Sequence, residues 1–217
     1  MIVDERVDAF LDSLEAELPE YLRRIEKDAL CDEVPIIRKQ TQSLLCFLLQ
    51  VKKPRRILEI GAAVGFSALL MAENSSVDTK ITTIEKVPAR IQKAKKNFAG
   101  CEISKKITLI EGDAVEILKQ MAMKEVEVYD FIFMDAAKGQ YQLFYEAAKK
   151  LLAKDGMLVS DNVLQEGEVA QSRYAVTRRD RTIHGRMREY LYQLKTEEDV
   201  KSVILPVGDG VALTVRK

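Results

Sequence analysis

Two acids that follow apolar, strand-like stretches are the residues best suited to chemistry in this sequence. Asp135 follows the run FIFM, and Asp161 with Asn162 follows the run MLVS. Carboxyl ends of neighbouring parallel strands lie at the same edge of a sheet, so we expect these oxygens to converge. Two carboxylates and an amide are hard ligands that suit Mg²⁺, or Ca²⁺ or Mn²⁺, rather than zinc. The alternative for each acid alone is a loop cap, and their combination with Asn162 favours the metal site.

A lysine stands three residues after the first acid. Lys138 could take a proton from a hydroxyl group of a substrate, or stabilise the resulting oxyanion. The alternative is a solvated loop lysine. Its spacing from Asp135 favours the catalytic role.

The stretch RILEIGAAVGFS, residues 56–67, predicts a strand, a tight turn of small residues and the start of a helix. Gly61 and Gly65 lack a Cβ, so the backbone there can approach a ligand closely. A dinucleotide site prefers G-x-G-x-x-G, but Ala63 occupies the position of the second glycine. This spacing suits an adenosyl ligand without a pyrophosphate. The alternative is an ordinary strand-to-helix turn.

Two further acids follow predicted strands. Glu85 lies where an acid that binds a ribose diol is expected after Gly61. Asp113 precedes a predicted helix that begins at Ala114. It could accept a hydrogen bond from an adenine amino group, or it could cap the helix. Both can hold together, with the N–H of Ala114 meeting the ring.

Strands and helices alternate along most of the chain, which predicts an α/β fold with a doubly wound parallel sheet. Strands are predicted at 56–60, 80–85, 106–111, 129–135 and 157–161, and helices near 66–74, 88–98, 114–122 and 140–153. Two apolar runs at 202–207 and 211–215, joined by Gly-Asp-Gly, predict a closing hairpin with one antiparallel strand. One domain is expected.

The amino-terminal part, 1–52, is predicted to form a helical cap on the core, 53–217. Apolar residues recur at helical spacing over 4–30, and Pro19 is expected to begin a second helix. Pro35–Val51 is predicted as a further amphipathic helix, whose start would place Ile37 close to the cofactor. The cap could serve as a lid or an oligomer contact, or simply pack on the sheet.

Bulk properties exclude several classes of protein. The 217 residues carry no net charge, so a basic surface for nucleic acid must be local. The three cysteines have no metal-like spacing, and His184, the single histidine, makes a Ser-His-Asp site improbable. We expect His184 at the surface. The first residues are too acidic for a signal peptide, and the longest apolar stretch, 44–49, is too short to span a membrane. A cytoplasmic protein is expected.

These motifs together resemble the cation-dependent, S-adenosylmethionine (SAM)-dependent O-methyltransferases of the catechol and caffeoyl-CoA type. The residues that carry the resemblance are Glu59-Ile60-Gly61, Glu85, Gly112-Asp113-Ala114, Asp135-Ala136-Ala137-Lys138 and Ser160-Asp161-Asn162-Val163. The resemblance covers nearly the whole chain. It implies a class I methyltransferase fold, a Rossmann-like seven-stranded sheet, and a homodimer. Ala62-Ala63 is a departure, since relatives often carry bulkier residues there.

The resemblance also implies roles for individual residues. Asp135, Asp161 and Asn162 would hold Mg²⁺. Asp135 would lie beside the SAM and, with Lys138, act in catalysis. The residues expected to bind the cofactor are Ile37, Glu59, Gly61, Ser67, Glu85, Asp113, Ala114 and Asp135.

Within that family the chain is most similar to the bacterial tRNA 5-hydroxyuridine methyltransferases, through MDAAKGQYQ, SDNVLQEG and PVGDG. Six arginines between Gln171 and Tyr190 agree with an RNA partner, because arginine binds phosphate bidentately. The predicted contacts to an anticodon loop are Arg173, Arg178, Arg179 and Arg181, and Tyr174 could stack on a base. The alternative for this stretch is a solvated helix face or a dimer surface.

Three other functions stay open at this point. The first is a catechol or phenol methyltransferase with the same site. The second is a nicotinamide-dependent dehydrogenase, against which Ala63 and the Asp161-Asn162 pair argue. The third is a SAM-binding RNA partner without activity, which the intact metal ligands disfavour.

Overall fold

The computed structural model describes residues 3–123 and 128–217. Its centre is a seven-stranded sheet with the order β3-β2-β1-β4-β5-β7-β6. The strands are β1 (Arg56–Ile60), β2 (Lys80–Glu85), β3 (Ile107–Glu111), β4 (Tyr129–Met134), β5 (Leu152–Ser160), β6 (Val200–Leu205) and β7 (Val211–Arg216). The pairs within β3-β2-β1-β4-β5 are parallel, and β7 is antiparallel to both β5 and β6. The predicted doubly wound sheet with one antiparallel strand is confirmed.

Eight α-helices accompany the sheet in the described part of the chain. They are α1 (Glu5–Leu14), α2 (Glu20–Cys31), α3 (Lys39–Lys52), α4 (Phe66–Glu73), α5 (Pro88–Ala99), α6 (Ala114–Met123), α7 (Tyr141–Leu151) and α8 (Arg181–Thr196). Short 3₁₀ turns occupy Glu102–Lys106, Lys138–Gln140 and Gln165–Ala170. None of the helices described is long and apolar enough to cross a membrane.

Two hydrophobic cores lie on opposite faces of the sheet, because successive strand residues point to alternate sides. Ile57 belongs to the core that α2, α3 and α4 cover. Leu58 belongs to the core that α6, α7 and α8 cover. Both residues are completely buried. The carboxyl ends of β1, β4 and β5 are thereby held rigidly from both sides.

Three predicted boundaries were wrong. Pro35 to Arg38 is not helical, and α3 begins only at Lys39. The helix predicted over 140–153 ends at Leu151, and β5 begins at the next residue. The strand predicted at 157–161 begins five residues earlier, at Leu152. Its Lys-Asp-Gly sequence forms a bulge that shifts the pairing of β5 with β4, with Asp155 at φ 59°.

Helix α8 was missing from the predicted elements. Its arginines drew attention to surface charge, although Met187, Tyr190, Leu191 and Leu194 are buried at helical spacing. The amino-terminal prediction was better. Pro19 caps α2 as expected, while α1 has no buried residue and carries an exposed apolar face.

Candidate active site

The turn after β1 is shaped by two glycines with left-handed backbone. Gly61 has φ 102°, and a Cβ there would lie 2.1 Å from the carbonyl oxygen of Asp135. Gly65 has φ 83°, and a Cβ there would lie 2.5 Å from the ring of Phe98. The N–H groups of Gly61 and Ala62 both donate to the carbonyl of Ile84, at 3.1 and 3.0 Å. The turn is therefore clamped between β2 and β4 and leaves no room for side chains.

A cavity of about 370 Å³ opens above this turn, at the carboxyl ends of the parallel strands. Nine residues expected at the site line it: Ile37, Gly61, Glu85, Asp113, Ala114, Asp135, Lys138, Asp161 and Asn162. Ser67 lies in an adjoining recess that Ile37, Gly61 and Asp135 also line. The sequence therefore predicted nine of the 23 residues that line this cavity.

Glu85 holds the turn from the second strand. Its carboxylate accepts hydrogen bonds from the backbone N–H groups of Ala63 at 2.8 Å and of Lys86 and Val87 at 2.9 Å. It is buried at the cavity wall. Glu85 thus fixes the glycine turn and presents a carboxylate to any hydroxyl in the cavity.

Asp113 caps α6, as one of its two interpretations predicted. Its Oδ1 accepts the N–H of Val115 at 2.9 Å, and Lys86 donates to its Oδ2 at 3.4 Å. The capping N–H of Val115 and the charge of Lys86 outweigh burial and lower the pKa of Asp113. Ala114 lies beside it in the cavity wall.

Glu59 does not line the cavity in the described structure. It is fully buried and accepts hydrogen bonds from the hydroxyls of Ser67 and Thr83. Burial raises the pKa of Glu59 to about 7, opposed by these two hydrogen bonds. By accepting the hydrogen bond of the Ser67 hydroxyl, Glu59 fixes the orientation of that side chain.

The two aspartates at the ends of β4 and β5 line the same cavity. Asp161 is buried, and Asp135 is partly buried. Asp161 accepts hydrogen bonds from the N–H of Asn162 at 2.8 Å and the hydroxyl of Thr41 at 3.4 Å. Among the residues described, none donates to the carboxylate of Asp135. Burial raises the pKa of both groups, and the charge of Asp135 raises that of Asp161 further.

Lys138 reaches the third member of this group. Its Nζ donates to Oδ1 of Asn162 at 2.9 Å, and its charge lowers the pKa of Asp135 against the effect of burial. Asn162 itself adopts left-handed backbone with φ 64°. The backbone carbonyl of Asp161 accepts the hydroxyl of the buried Tyr141 at 2.8 Å, which fixes the end of β5.

The donor set fits a hard divalent cation. Two carboxylates in one cavity, one buried and one partly buried, gain from a cation between them, and an amide oxygen lies next to one of them. No group of three or more His, Cys, Asp or Glu side chains suited to a metal occurs within residues 3–123 and 128–217. The candidate set instead contains two carboxylates and one amide.

Sequence reasoning missed a polar cluster on the opposite wall. Arg38 and Asp209 line the cavity, and Nη2 of Arg38 lies 2.8 Å from Oδ1 of Asp209. The Gly208–Gly210 turn was interpreted as the tip of a hairpin and as part of a family resemblance, but not as part of the site. An acid in a tight turn beside the ends of the central strands was the signal that could have identified Asp209.

The arginine-rich stretch, called here the arginine segment (173–188), lies outside the cavity. Arg173, Arg178 and Arg179 are exposed and do not line it. The segment adjoins the site through two helix α8 arginines. Arg186 donates to the carbonyl of Gly139 at 3.0 Å, and Arg188 donates to that of Val169 at 2.8 Å.

One residue of the arginine segment, His184, does not lie at the surface as expected. His184 is buried, not exposed, because it lies on the inner face of α8. Its Nε2 is 3.2 Å from the carbonyl oxygen of Gln171, and its Nδ1 has no partner within the described chain. Tyr174 is 85% exposed, with the guanidinium of Arg181 6.0 Å from its ring centroid. The contact of His184 with Gln171 therefore joins α8 to the residues just before the arginine segment.

The glycine turn, the strand order and the acids at the strand ends define a class I SAM-dependent methyltransferase. A family model described as O-methyltransferase matches residues 11–217. The chain belongs to this O-methyltransferase family.

Individual relatives agree with this assignment. A probable caffeoyl-CoA O-methyltransferase from Dictyostelium discoideum is 26% identical over 201 residues, which is 92% of this chain and 86% of the relative. A catechol O-methyltransferase from Niastella koreensis is 30% identical over 125 residues, 58% of this chain and 57% of the relative. A crystal structure assigned as a caffeoyl-CoA O-methyltransferase from Staphylococcus aureus is 31% identical, with a TM-score of 0.89 over 97% of this chain and 99% of that one.

Proposed function

We propose that this chain is a SAM- and Mg²⁺-dependent O-methyltransferase that converts 5-hydroxyuridine at the wobble position of tRNA to 5-methoxyuridine. The observation that carries the proposal is the pair of carboxylates, Asp135 and Asp161, beside Asn162 in the same cavity as the glycine turn. A methyl donor and an oxygen acceptor can then be held side by side. Much of the rate would come from that proximity.

The glycine side of the cavity would hold SAM, which supplies a methyl group on a sulfonium centre. Glu85 offers its carboxylate to the ribose hydroxyls, and Asp113 with Ala114 borders the position proposed for the adenine. Ser67, oriented by Glu59, and Ile37 line the recess beyond Gly61. These roles follow from placement around one cavity.

Asp135, Asp161 and Asn162 would hold Mg²⁺, which when bound lowers the pKa of an acceptor hydroxyl. In 5-hydroxyuridine the 5-hydroxyl adjoins the O4 carbonyl. These two oxygens form a chelating pair like that of a catechol. Through the bound cation, the same three side chains would therefore orient the acceptor, and the cation would offset the repulsion between the two carboxylates.

Lys138 is proposed to handle the proton. Its Nζ is held at 2.9 Å from Asn162, at the same cavity wall as Asp135. From there an amine can take the hydroxyl proton or stabilise the negative oxygen. The hydrogen bond to Asn162 keeps Lys138 beside the residues proposed to hold the cation.

The arginine segment supports a tRNA acceptor. In a chain without net charge, five of its six arginines are exposed, and one of these, Arg186, joins the segment to Gly139, next to Lys138. Phosphate contacts by such residues position RNA without reading its sequence. The exposed Tyr174 offers a stacking surface for an unpaired base.

A small-molecule acceptor is the second candidate, favoured by relatives named for caffeoyl-CoA and catechol. Purified protein with SAM and Mg²⁺ is incubated with tRNA that lacks the final modification, and separately with catechol. We expect methyl incorporation into the tRNA. Incorporation into catechol alone would end the tRNA proposal, and full turnover in EDTA would end the cation requirement.

We further propose a homodimer formed through α1. Val7, Phe10, Leu11 and Leu14 leave an apolar face exposed on that helix. Light scattering after size exclusion measures the assembly. A monomer at micromolar concentration would contradict the proposal, and Phe10→Asp should weaken the dimer without changing the fold.

A further inference from the structure

Arg38 belongs to the amino-terminal cap and contacts two other parts of the chain near the cavity, at Glu166 and Asp209. It follows the extended residues from Pro35 and precedes α3, and it lines the cavity. Its Nη2 is 2.7 Å from Oε1 of Glu166 and 2.8 Å from Oδ1 of Asp209. Within the described chain, Nε and Nη1 have no protein acceptor. The guanidinium therefore has unused donors at the edge of the cavity.

The two carboxylate partners differ in how firmly they are held. Asp209 sits in a packed turn, where the N–H of Leu164 donates to its carbonyl at 3.0 Å. A Cβ on Gly208 would lie 2.7 Å from the hydroxyl of Thr41, and one on Gly210 would lie 2.4 Å from Leu164. The side chain of Asp209 is 17% exposed. Asp209 is thus a fixed anchor for Arg38.

Glu166 is the looser partner. Its side chain is 59% exposed, and its backbone has φ 54° beside Gln165 at φ 49°. Left-handed backbone at two consecutive residues other than glycine is unfavourable. An exposed ion pair contributes little to stability because water screens it. Glu166 can therefore leave Arg38 at low cost.

We propose that Arg38 binds an anionic group of the acceptor, a phosphate or a carboxylate, in the place that Glu166 occupies. The exchange replaces one anion by another, so the charge around Arg38 is preserved, and Asp209 keeps the guanidinium in position. The inference rests on the proposed O-methyltransferase function with its cation between Asp135 and Asp161. It adds that the acceptor carries its negative charge close to the chelating oxygens, as a nucleotide does.

Two pairs of acceptors test this assignment, and each pair differs in one anionic group. One pair is 5-hydroxyuridine and its 5′-monophosphate, and the other is catechol and 3,4-dihydroxybenzoate. For the wild type we expect the higher kcat/KM with the anionic member. Arg38→Gln should lower kcat/KM for that member by about 10- to 100-fold, the effect of losing a charged hydrogen bond, and leave the neutral member within about twofold.

Two further variants complete the design. Arg23→Gln removes an arginine from an exposed ion pair with Glu17, at 3.0 Å, and Arg23 does not line the cavity. This variant should leave kcat/KM unchanged for both members of each pair. Glu166→Gln should raise kcat/KM for the anionic member about two- to fivefold, because it frees Arg38. This gain keeps the test decisive if Arg38→Gln folds poorly. Calorimetric binding of 3,4-dihydroxybenzoate and catechol with Mg²⁺ alone gives a readout without turnover.

The outcomes separate the two proposals. If only the catechol pair is methylated, that pair alone decides the role of Arg38, and the tRNA function is decided separately by the incubation with tRNA. Equal kcat/KM for both members of each pair in the wild type would overturn the role of Arg38. An equal loss for both members in Arg38→Gln, with no gain in Glu166→Gln, would overturn it as well.

Discussion

The two halves of the cavity are built in different ways. The half proposed to bind SAM, called here the cofactor half, comprises the glycine turn, Glu85 and Asp113, and its carboxylates accept hydrogen bonds from nearby backbone. The half proposed to bind the acceptor, called here the acceptor half, comprises Asp135, Asp161 and Asn162 with Arg38 and the loops around it. Its central carboxylates repel one another, and Asp135 accepts no hydrogen bond from the described residues. A half whose carboxylates are already hydrogen-bonded is suited to hold a ligand in a fixed place. A half whose carboxylates repel one another is suited to recruit a cation.

The largest effect should come from the acceptor half. Asp161→Ala removes one carboxylate of the pair, and we expect methyl transfer to fall about 1000-fold or more, because a cation contributes several kcal/mol. SAM affinity, measured by calorimetry, should stay within about threefold, since the cofactor half is untouched. Asp199→Ala, an exposed aspartate paired with Lys149, is the control. A parallel loss of SAM binding would show that the two halves are not independent.

A substitution in the cofactor half should lower SAM affinity. Gly61→Ala forces a Cβ against the carbonyl of Asp135, and we expect SAM affinity to fall about 100-fold, with a lower Tm. Gly167→Ala is the matched control, because Gly167 also has positive φ but open space around its Cβ position. It should cost only about 1 kcal/mol of stability. Similar Tm values for the two variants would mean that the close approach is unimportant.

Glu59 should make stability depend on pH. Its pKa is raised to about 7, so the folded state favours the neutral acid. The corresponding stability is present below the usual pKa of 4.5 and is lost as the pH rises through 7, by about 2 kcal/mol between pH 5 and 7. Glu59→Gln should abolish this component in urea unfolding. An unchanged pH dependence would contradict the neutral acid, and Glu116→Gln on the surface is the control.

The smallest effect is expected at the arginine segment. Arg178→Gln combined with Arg179→Gln should weaken tRNA binding about tenfold and lower the slope of log Kd against log salt concentration by about 2. Catechol turnover should not change, because neither arginine lines the cavity. A changed catechol rate would place the segment closer to chemistry than the structure does.

The cofactor half could be predicted because its signals are local. Gly61, Glu85 and Asp113 each lie at or just after the carboxyl end of a strand, so strand ends in the sequence become neighbours in space. Arg38 could not be found this way, since it meets Glu166 from 128 residues away. The bulge in β5 was also missed, because it arises from a shift in the register between β4 and β5, which local sequence does not specify. Burial of His184 depended on recognising α8 as a helix.

The position of β7 has a consequence for how the molecule comes together. This strand lies between β5 and β6, and the turn before it packs on Thr41 at one side and Leu164 at the other. Closing such a distant contact costs chain entropy and occurs slowly compared with local pairing. The turn after β1 can therefore form first, whereas Arg38 gains its contact with Asp209 only when the last hairpin docks.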